Sequence, residues 1–255
     1  MLKHLCLCLL LCFPAVTFAC GGSTACSLGT REYHAAPPTG WDGVTPLPVL
    51  LHFHGWGRRS AGVLKNKRIA DAANDAGALL IAPQGRGRSW QFWGGPSEDS
   101  DFALAALADA ATRWPIDRAR VAVSGFSYGG AMVWRMACDK GDVVKAYLPI
   151  AGSLWNPDQR CAGPVHLTHV HGLKDTVMDF PFGPKGEPEG AVSLWLSENE
   201  CAQQPDRQSS EGPFTCRYWT SCGGPPITLC THGGGHYIPK TWLAQRLSAA
   251  LAREK

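Results

Sequence analysis

Short apolar runs alternate along this chain with segments whose apolar residues recur at helical spacing. Six runs are apolar at nearly every position and predict strands over residues 47–53, 78–82, 120–123, 146–150, 165–170 and 227–230. Helical spacing predicts helices over residues 69–76, 102–114, 129–138 and 242–252. Strands without a polar face are typical of a parallel sheet that helices cover on both sides. The alternation therefore predicts a doubly wound α/β fold with a mostly parallel central sheet flanked by helices.

Two stretches without periodicity predict loops. Residues 181–190 are rich in proline and glycine, and we expect them to form a surface loop near the functional face. Residues 203–213 are polar and irregular, and the cysteines on either side would tether them. Neither stretch is long enough to be an interdomain linker followed by another module. Residues 20–255 are therefore predicted to form a single domain.

The segment before Cys20 has the layout of a secretory signal peptide. Lys3 and His4 form a short polar head, residues 5–13 are mostly apolar, and residues 17–19 form a small-residue exit. The apolar run is too short to cross a bilayer. A buried N-terminal strand or helix is the alternative, but an apolar run directly after a basic start favours export. We therefore predict a signal peptide over residues 1–19 and a secreted product, either extracellular or periplasmic.

The number of cysteines supports export with disulfides. Of eleven cysteines, eight lie after the leader, namely Cys20, Cys26, Cys138, Cys161, Cys201, Cys216, Cys222 and Cys230. An even set can pair completely, and such pairing is typical of proteins outside the cytosol. Cleavage after Ala19 would leave Cys20 at the new N-terminus, where a lipoprotein also has its cysteine. Lipidation of Cys20 would strand one thiol, so complete pairing is favoured and lipidation remains the alternative.

The charge pattern argues against two classes of partner. A net charge of +3 is close to balance, and the densest basic cluster is Arg58, Arg59, Lys65, Lys67 and Arg68. The ordinary interpretation of this cluster is a solvated surface face. It has neither interleaved aromatic residues nor zinc-ligand spacing, so nucleic-acid binding is not expected. No stretch after the leader is apolar enough to span a membrane, and we expect a monomer.

Ser127 lies between a predicted strand and a predicted helix. The chain from 121 to 130 reads Val-Ala-Val-Ser-Gly-Phe-Ser-Tyr-Gly-Gly. In a strand–turn–helix of this kind the serine has a strained backbone, and the flanking glycines let strand and helix approach each other. The helix N-terminus then directs free N–H groups toward developing negative charge. This context favours Ser127 as a nucleophile, with a structural turn as the alternative.

A serine hydroxyl needs a base to take its proton, and the base needs an acid to orient it. Asp175 follows the fifth predicted strand, and His236 follows the last one in a glycine-rich loop. The order Ser127, Asp175, His236 is that of the α/β-hydrolases. Asp179 is the competing acid and His232 the competing base. His232 is expected at a strand end, where a packing role is favoured.

An oxyanion hole needs two N–H donors. The N–H of Tyr128, directly after the nucleophile, is the first expected donor. The N–H of Trp56, in the loop after the first predicted strand, is the second, with Gly55 as the alternative. An ordinary strand-exit turn is also compatible with the glycines of that loop.

Tryptophans are core residues by default, but three on predicted loops are candidates for substrate binding: Trp90, Trp93 and Trp155. Together with Trp56 they would offer an aromatic wall to an acyl or phenolic group.

Histidines alternate on two predicted strands, at 52 and 54 and at 169 and 171. Two such rows are compatible with zinc, but local hydrogen bonding is favoured because the serine, histidine and aspartate need no metal. We expect neither a metal nor another cofactor.

The chain resembles the polyhydroxybutyrate depolymerase and feruloyl esterase group of α/β-hydrolases over nearly all of residues 20–255. The resemblance is carried by residues 20–26, 31–33, 52–57, 82–85, 116–120, 125–130, 171–175 and 235–236. It implies that the nucleophile, acid and base are Ser127, Asp175 and His236. Two departures are a Tyr-Ile-Pro where the group has Trp-Pro after the histidine, and no room for the linker and binding domain of depolymerases that act on solid polyester. We therefore expect a secreted serine esterase for soluble esters or hydroxyalkanoate oligomers.

Two other kinds of function remain open. A serine peptidase or an acyltransferase on the same fold needs only a different substrate or acceptor site. A secreted binding protein without catalysis is the third possibility, although it would have no reason to keep all three residues of the proposed set. For the disulfides, where many connectivities are possible, our hypothesis pairs Cys20 with Cys26 and Cys138 with Cys161. The remaining four cysteines are then expected to pair near the His236 loop.

Overall fold

A computed structural model describes residues 20–155, 160–178 and 191–253. The strands in these ranges are β1 (Cys26–Leu28), β2 (Arg31–Ala36), β3 (Leu47–Phe53), β4 (Leu79–Pro83), β5 (Ile116–Phe126), β6 (Ala146–Ile150), β7 (Leu167–Gly172), β8 (Arg207–Glu211), β9 (Phe214–Trp219) and β10 (Ile227–His232). The α-helices are α1 (Ser60–Lys65), α2 (Lys67–Asp75), α3 (Glu98–Ala110), α4 (Tyr128–Lys140), α5 (Ala191–Glu198) and α6 (Trp242–Ala250). The predicted signal peptide and the loop at 181–190 lie outside the described residues.

The described strands form one sheet in the order β1-β2-β4-β3-β5-β6-β7-β10-β9-β8. All neighbouring pairs from β4 to β10 in this order are parallel, whereas the strands outside them pair antiparallel. The predicted α/β fold with a mostly parallel sheet is therefore confirmed. Because parallel strands direct their carboxyl ends to one edge, the loops after β3, β5, β7 and β10 meet there.

Helices cover both faces of the sheet because successive side chains of a strand point to opposite faces. Leu51 of β3 belongs to an apolar cluster with α3, α4 and α5. Its neighbour Leu50 belongs to a second cluster with α1, α2 and α6. This two-sided burial explains why the central strands have no polar face in the sequence.

The outer strands were not predicted from the sequence. Residues 203–213 were expected to be irregular, but they contain β8, which pairs antiparallel with β9. That expectation is wrong because β8 is an edge strand of polar, largely exposed residues, so its backbone pairing leaves no apolar pattern. The sequence pattern did not predict β1 and β2 either. β1 is only three residues long, which is too short to show an alternation of apolar and polar positions.

Four disulfides link the described cysteines, and two of them are the predicted pairs Cys20–Cys26 and Cys138–Cys161. The others are Cys201–Cys222 and Cys216–Cys230. The first of these lies before β10 begins, where the Gly224 N–H donates to the Asn199 carbonyl. It is thus at the opposite edge of the sheet from His236, so the expected position near the His236 loop is wrong for this pair.

Several histidines are buried in the sheet, and burial disfavours their charged form. Burial lowers the pKa of His52 on β3 to about 3. On β7, burial lowers the pKa of His171 to about 4 and that of His169 well below its ordinary value. These imidazoles are therefore neutral in the folded protein at neutral pH.

Removing the Cys138–Cys161 disulfide should destabilise the protein more than removing Cys20–Cys26. The two bridges close loops with sequence separations of 23 and 6, and the longer loop loses more entropy in the unfolded chain. We expect double serine variants to lower the free energy of unfolding by about 3 and about 2 kcal/mol, respectively. Guanidinium denaturation of the oxidised proteins measures both, and a reversed order would contradict this expectation.

The folded state should lose stability as pH falls from 7 to about 4. Unfolded histidines bind protons near pH 6.5, whereas folded His52 and His171 stay neutral until about pH 3 and about pH 4. The unfolded state binds more protons in this window, so acidification favours unfolding. Thermal unfolding followed by circular dichroism should show a falling midpoint, and a constant or rising midpoint would contradict this expectation.

Candidate active site

The turn between β5 and α4 places Ser127 at the carboxyl edge of the sheet. Ser127 has φ 61° and ψ −123°, in the left-handed region that non-glycine residues rarely adopt. Its N–H donates to the Ile150 carbonyl at 3.0 Å, and its carbonyl accepts from the Ala131 N–H at 2.9 Å. These bonds hold the strained backbone in place, as strain at a functional residue requires.

Close backbone packing explains the glycines on both sides of Ser127. A Cβ on Gly125 would overlap with the carbonyl oxygen of Gly129, and one on Gly129 would overlap with the carbonyl oxygen of Phe53. Helix α4 therefore starts directly against the ends of β5 and β3. Any side chain at these two positions would push the helix N-terminus away from the serine.

His236 and Asp175 are brought together from loops after β10 and β7. The His236 Nδ1 lies 2.7 Å from Asp175 Oδ2. The other carboxylate oxygen, Oδ1, accepts from the N–H groups of Val177 at 2.8 Å and Met178 at 3.1 Å. Burial alone would raise the pKa of Asp175, but hydrogen bonds from His236 and from these two N–H groups hold it below its ordinary value. The carboxylate is thus ionised and bonded through both of its oxygens.

A second histidine contacts the same carboxylate, and the sequence did not assign it this role. His171 Nε2 lies 3.3 Å from Asp175 Oδ2 and 3.2 Å from the Met178 carbonyl. Because both neighbours are acceptors, this nitrogen carries a proton. The spacing His-Gly-x-x-Asp could have indicated this contact, because it places the two side chains on one tight turn at the end of the strand.

The hydrogen bonds continue into the sheet. His171 Nδ1 lies 3.2 Å from His169 Nε2, and His169 Nδ1 lies 2.9 Å from the Pro149 carbonyl. Two neutral imidazoles carry one ring proton each, so with His171 Nε2 protonated the His169 proton forms either the bond between the rings or the bond to the Pro149 carbonyl. Among the described residues, no group of three or more histidines, cysteines or acidic residues is arranged to hold a metal ion.

Asp179 and His232 were the alternative acid and base in the sequence. Asp179 lies outside the described residues. His232 is buried, its ring packs 4.8 Å from that of Tyr237, and its Nδ1 accepts from the Gly234 N–H at 3.2 Å. It therefore supports the glycine-rich loop that carries His236.

Ser127 and His236 line one cavity of about 840 Å³. Trp56 and Tyr128, the residues expected to supply oxyanion donors, line it as well. A Cβ on Gly55 would lie 3.7 Å from Ser127 Cβ, so the loop after β3 passes directly beside the serine. The structure therefore brings Ser127, His236, Tyr128 and Trp56 to one cavity.

His54 holds the loop that contains Trp56. Its Nδ1 lies 2.9 Å from the Gly55 carbonyl, and its Nε2 accepts from the Gly85 N–H at 3.1 Å. The Trp90 indole N–H donates to the His54 carbonyl at 2.7 Å. The β3 exit is thus fastened on both sides before the chain reaches Trp56.

Trp90 is not on the cavity wall, which corrects the expectation that it binds substrate. It is 2 % exposed and packs edge-on against Phe53, with ring centroids 4.9 Å apart. Its apolar ring fills the core beneath the loop while its N–H supports the backbone. The sequence pattern of a loop tryptophan does not reveal whether the ring points outward or inward.

Trp93 and Trp155 lie at the surface, with 52 % and 43 % of their areas exposed, but neither lines the cavity of Ser127 and His236. Both rings contact Phe92, at centroid distances of 4.5 and 6.1 Å. Phe92 also packs 5.0 Å from Tyr128, which connects this aromatic group to the cavity. The buried Phe92 is the member that the sequence analysis missed.

Comparison with known proteins adds independent findings. The chain is 25% identical to feruloyl esterase C of Emericella nidulans over 216 residues, which cover 81% of this chain and 76% of that protein. It is also 25% identical over 199 residues to the bifunctional acetylxylan esterase/xylanase XynS20E of Neocallimastix patriciarum, covering 75% of this chain and 28% of that protein. No protein-family model matches the chain.

Solved structures share the fold. The acetyl xylan esterase from Aspergillus awamori superposes with a TM-score of 0.69 at 13% identity, covering 87% of this chain and 94% of that one. The strand order and the turn at Ser127 fit an α/β-hydrolase, and the relative in Emericella nidulans is named as an esterase. The chain has the α/β-hydrolase fold, is similar to esterases and is a carboxylic ester hydrolase.

Proposed function

We propose that this esterase hydrolyses soluble esters by two-step acyl transfer through Ser127, His236 and Asp175. The observation that carries the proposal is the strained Ser127 facing the same cavity as His236, whose Nδ1 is bonded to an ionised Asp175. Because His236 Nδ1–H donates a hydrogen bond to the carboxylate, Nε2 is the ring nitrogen with a free lone pair. That lone pair is the base that the serine hydroxyl needs.

The first step forms an acyl-enzyme. Ser127 Oγ attacks the ester carbonyl carbon while its proton moves to His236 Nε2, and the carbonyl π electrons move to oxygen. The tetrahedral intermediate collapses by breaking the bond to the alcohol oxygen, which receives the proton from His236. Asp175 stabilises the transient imidazolium across the 2.7 Å contact. The alcohol then leaves.

The second step repeats the same chemistry with water. His236 takes a proton from a water molecule while the water oxygen attacks the acyl carbon. Ser127 Oγ then leaves and receives that proton from His236. The carboxylic acid is released and the enzyme returns to its starting state. An alcohol in place of water would give acyl transfer, and an amide in place of the ester would give peptidase activity.

We assign the oxyanion donors to the N–H groups of Tyr128 and Trp56. Tyr128 is the first residue of α4, so its N–H has no acceptor within the helix and lies at the positive end of the helix dipole. Trp56 follows Gly55, which passes beside the Ser127 side chain. Two such donors stabilise charge that appears only as the carbonyl becomes tetrahedral.

We further propose that the aromatic group around Tyr128 contacts the acyl or phenolic part of the ester. Trp56 is 69 % exposed, and its ring centroid lies 6.3 Å from that of Tyr128. The Trp93 ring lies at the same centroid distance from Tyr128, in an edge-to-face arrangement. The name feruloyl esterase C of a relative, which specifies an aromatic acyl group, supports this proposal. Soluble hydroxyalkanoate oligomers are the second substrate class that we consider.

Export is part of the proposal. Four disulfides among the described residues would be reduced in most cytosolic environments. No helix of the described ranges is long and apolar enough to cross a membrane. We therefore propose an extracellular or periplasmic site of action.

The Ser127→Ala variant should lose ester hydrolysis because the acyl-enzyme can no longer form. We expect turnover of p-nitrophenyl butyrate to fall by about 10⁴-fold or more. Labelling by a fluorophosphonate probe should disappear with it. The matched control is Ser153→Ala, another buried serine near the same sheet edge, which should keep both signals. Retained turnover in Ser127→Ala would refute the assignment, and faster cleavage of matched amides than esters by the wild type would indicate a peptidase.

The Asp175→Asn variant should keep the fold but lose most of its turnover. An amide can donate a hydrogen bond to His236 Nδ1, which would favour the tautomer whose Nε2 carries the proton. We expect kcat to fall by about 10³–10⁴-fold with a smaller change in KM. The His236 imidazole signals in NMR spectra at neutral pH report the tautomer directly. A normal kcat in a variant with the wild-type unfolding midpoint would rule out the proposed role of Asp175.

A further inference from the structure

The basic segment from Arg58 to Arg68 acquires a location in the structure. Arg58, Arg59 and Arg68 line the same cavity as Ser127 and His236. The sequence pattern had indicated only a solvated face. Three arginines therefore line the proposed catalytic cavity.

The positions of these arginines follow from the backbone. The Arg58 N–H donates to the Gly55 carbonyl at 3.1 Å, so Arg58 is one turn beyond the loop beside Ser127. Arg59 directly precedes α1. Arg68 lies in the first turn of α2, and its guanidinium donates to the Ile238 carbonyl of the loop after His236. The Arg68 side chain is thus bonded to the loop after His236, whereas Arg58 and Arg59 lie between the loop beside Ser127 and the start of α1.

No carboxylate in the described part of the chain neutralises their charge. No described aspartate or glutamate lines the cavity, and none of the three arginines forms an ion pair with a described carboxylate. Other arginines in this protein are paired: Arg31 lies 2.6 Å from Asp99, and Arg135 lies 2.7 Å from Asp139. The positive charge at the cavity is therefore available to a ligand.

The part of the cavity lining beside the arginines is largely apolar and uncharged. Val63, Ile69 and Ile238 line the cavity beside the arginines. His52 also lines it, and the burial that lowers its pKa to about 3 keeps it neutral. The arrangement combines an apolar surface for carbon atoms with guanidinium groups that bind a carboxylate in a bidentate manner.

We propose that the preferred substrates of this esterase are esters that also carry a free carboxylate, which Arg58, Arg59 and Arg68 bind while Ser127 attacks the ester. This inference rests on the proposed catalytic function of the same cavity. Exposed ion pairs are individually weak, but several cations on one concave wall reinforce each other and attract anions from solution. Half-esters of dicarboxylic acids and hydroxy acids that are acylated on the hydroxyl group belong to this class.

The test compares two pairs of esters that differ only in charge. One pair has the charge on the leaving group: 4-carboxyphenyl butyrate and 4-carbamoylphenyl butyrate. The other has it on the acyl group: the 4-nitrophenyl half-ester of adipic acid and its methyl adipate counterpart. The readout is the ratio of kcat/KM for the charged ester to kcat/KM for the neutral one. This ratio cancels differences in the amount of active enzyme between preparations.

The test variant is Arg58→Gln/Arg59→Gln, and we expect its ratio to fall about fivefold for at least one pair, as two exposed charge contacts would give. The charge-conserving variant Arg58→Lys/Arg59→Lys should restore at least half of the loss. The matched control is Arg118→Gln/Arg253→Gln, which removes two positive charges near Asp117, at the start of β5 and far from Ser127. Its ratio should stay within about twofold of the wild type, because charges beyond a Debye length are screened.

Ionic strength gives a second readout on the wild-type enzyme. Raising NaCl from about 20 mM to about 500 mM should raise KM for the charged ester and leave KM for the neutral ester nearly constant. The proposal is overturned if the ratio is unchanged in Arg58→Gln/Arg59→Gln for both pairs, or if the control variant loses as much. If instead Ser127→Ala retains turnover of the neutral esters, the proposed catalytic function has failed, which is a separate outcome.

Discussion

The close contact between the start of α4 and the ends of β3 and β5 is the constraint on which the rest of the site depends. No Cβ fits at Gly125 or Gly129 because backbone carbonyl oxygens occupy that space. The helix therefore begins directly at the sheet edge, with its N–H groups beside Ser127. The positive φ of Ser127 follows from the same packing, since the chain must reverse between strand and helix within one residue. Bonds to Ile150 and Ala131 hold this conformation.

Burial controls the charge of the groups behind the serine. Asp175 remains ionised because the His236 Nδ1–H and two backbone N–H groups replace the water that burial removes. His171 contacts the same carboxylate, and its other ring nitrogen lies 3.2 Å from His169 Nε2. A buried chain of this kind has few alternative arrangements, so it fixes the orientation of Asp175 and, through it, of His236. The exposed arginines at the cavity differ from this chain because no described carboxylate pairs with them, and Arg68 is bonded to a backbone carbonyl, that of Ile238.

The disulfides stabilise the surroundings of the sheet more than the site itself. Cys138–Cys161 ties the end of α4 to the segment after β6, and Cys216–Cys230 joins β9 to β10. Cys201–Cys222 lies at the amino edge of the sheet. Cys230 lies within β10, the strand before His236, whereas the loops that bear Asp175 and His236 contain no cysteine. Those loops are held by local hydrogen bonds, such as that from Lys174 N–H to the Gly234 carbonyl.

The sequence by itself determined the central sheet, the helices on both faces and the strand ends where Ser127, Asp175 and His236 lie. It could do so because strands buried on both faces are continuously apolar, and because parallel strands direct their carboxyl ends to one edge. Only the tertiary structure decided which loop side chains face the cavity. Trp90 turns into the core whereas Trp93 stays exposed, since ring orientation depends on packing against residues distant in sequence. The edge strand β8 and the contact of His171 with Asp175 depend in the same way on partners that no local pattern specifies.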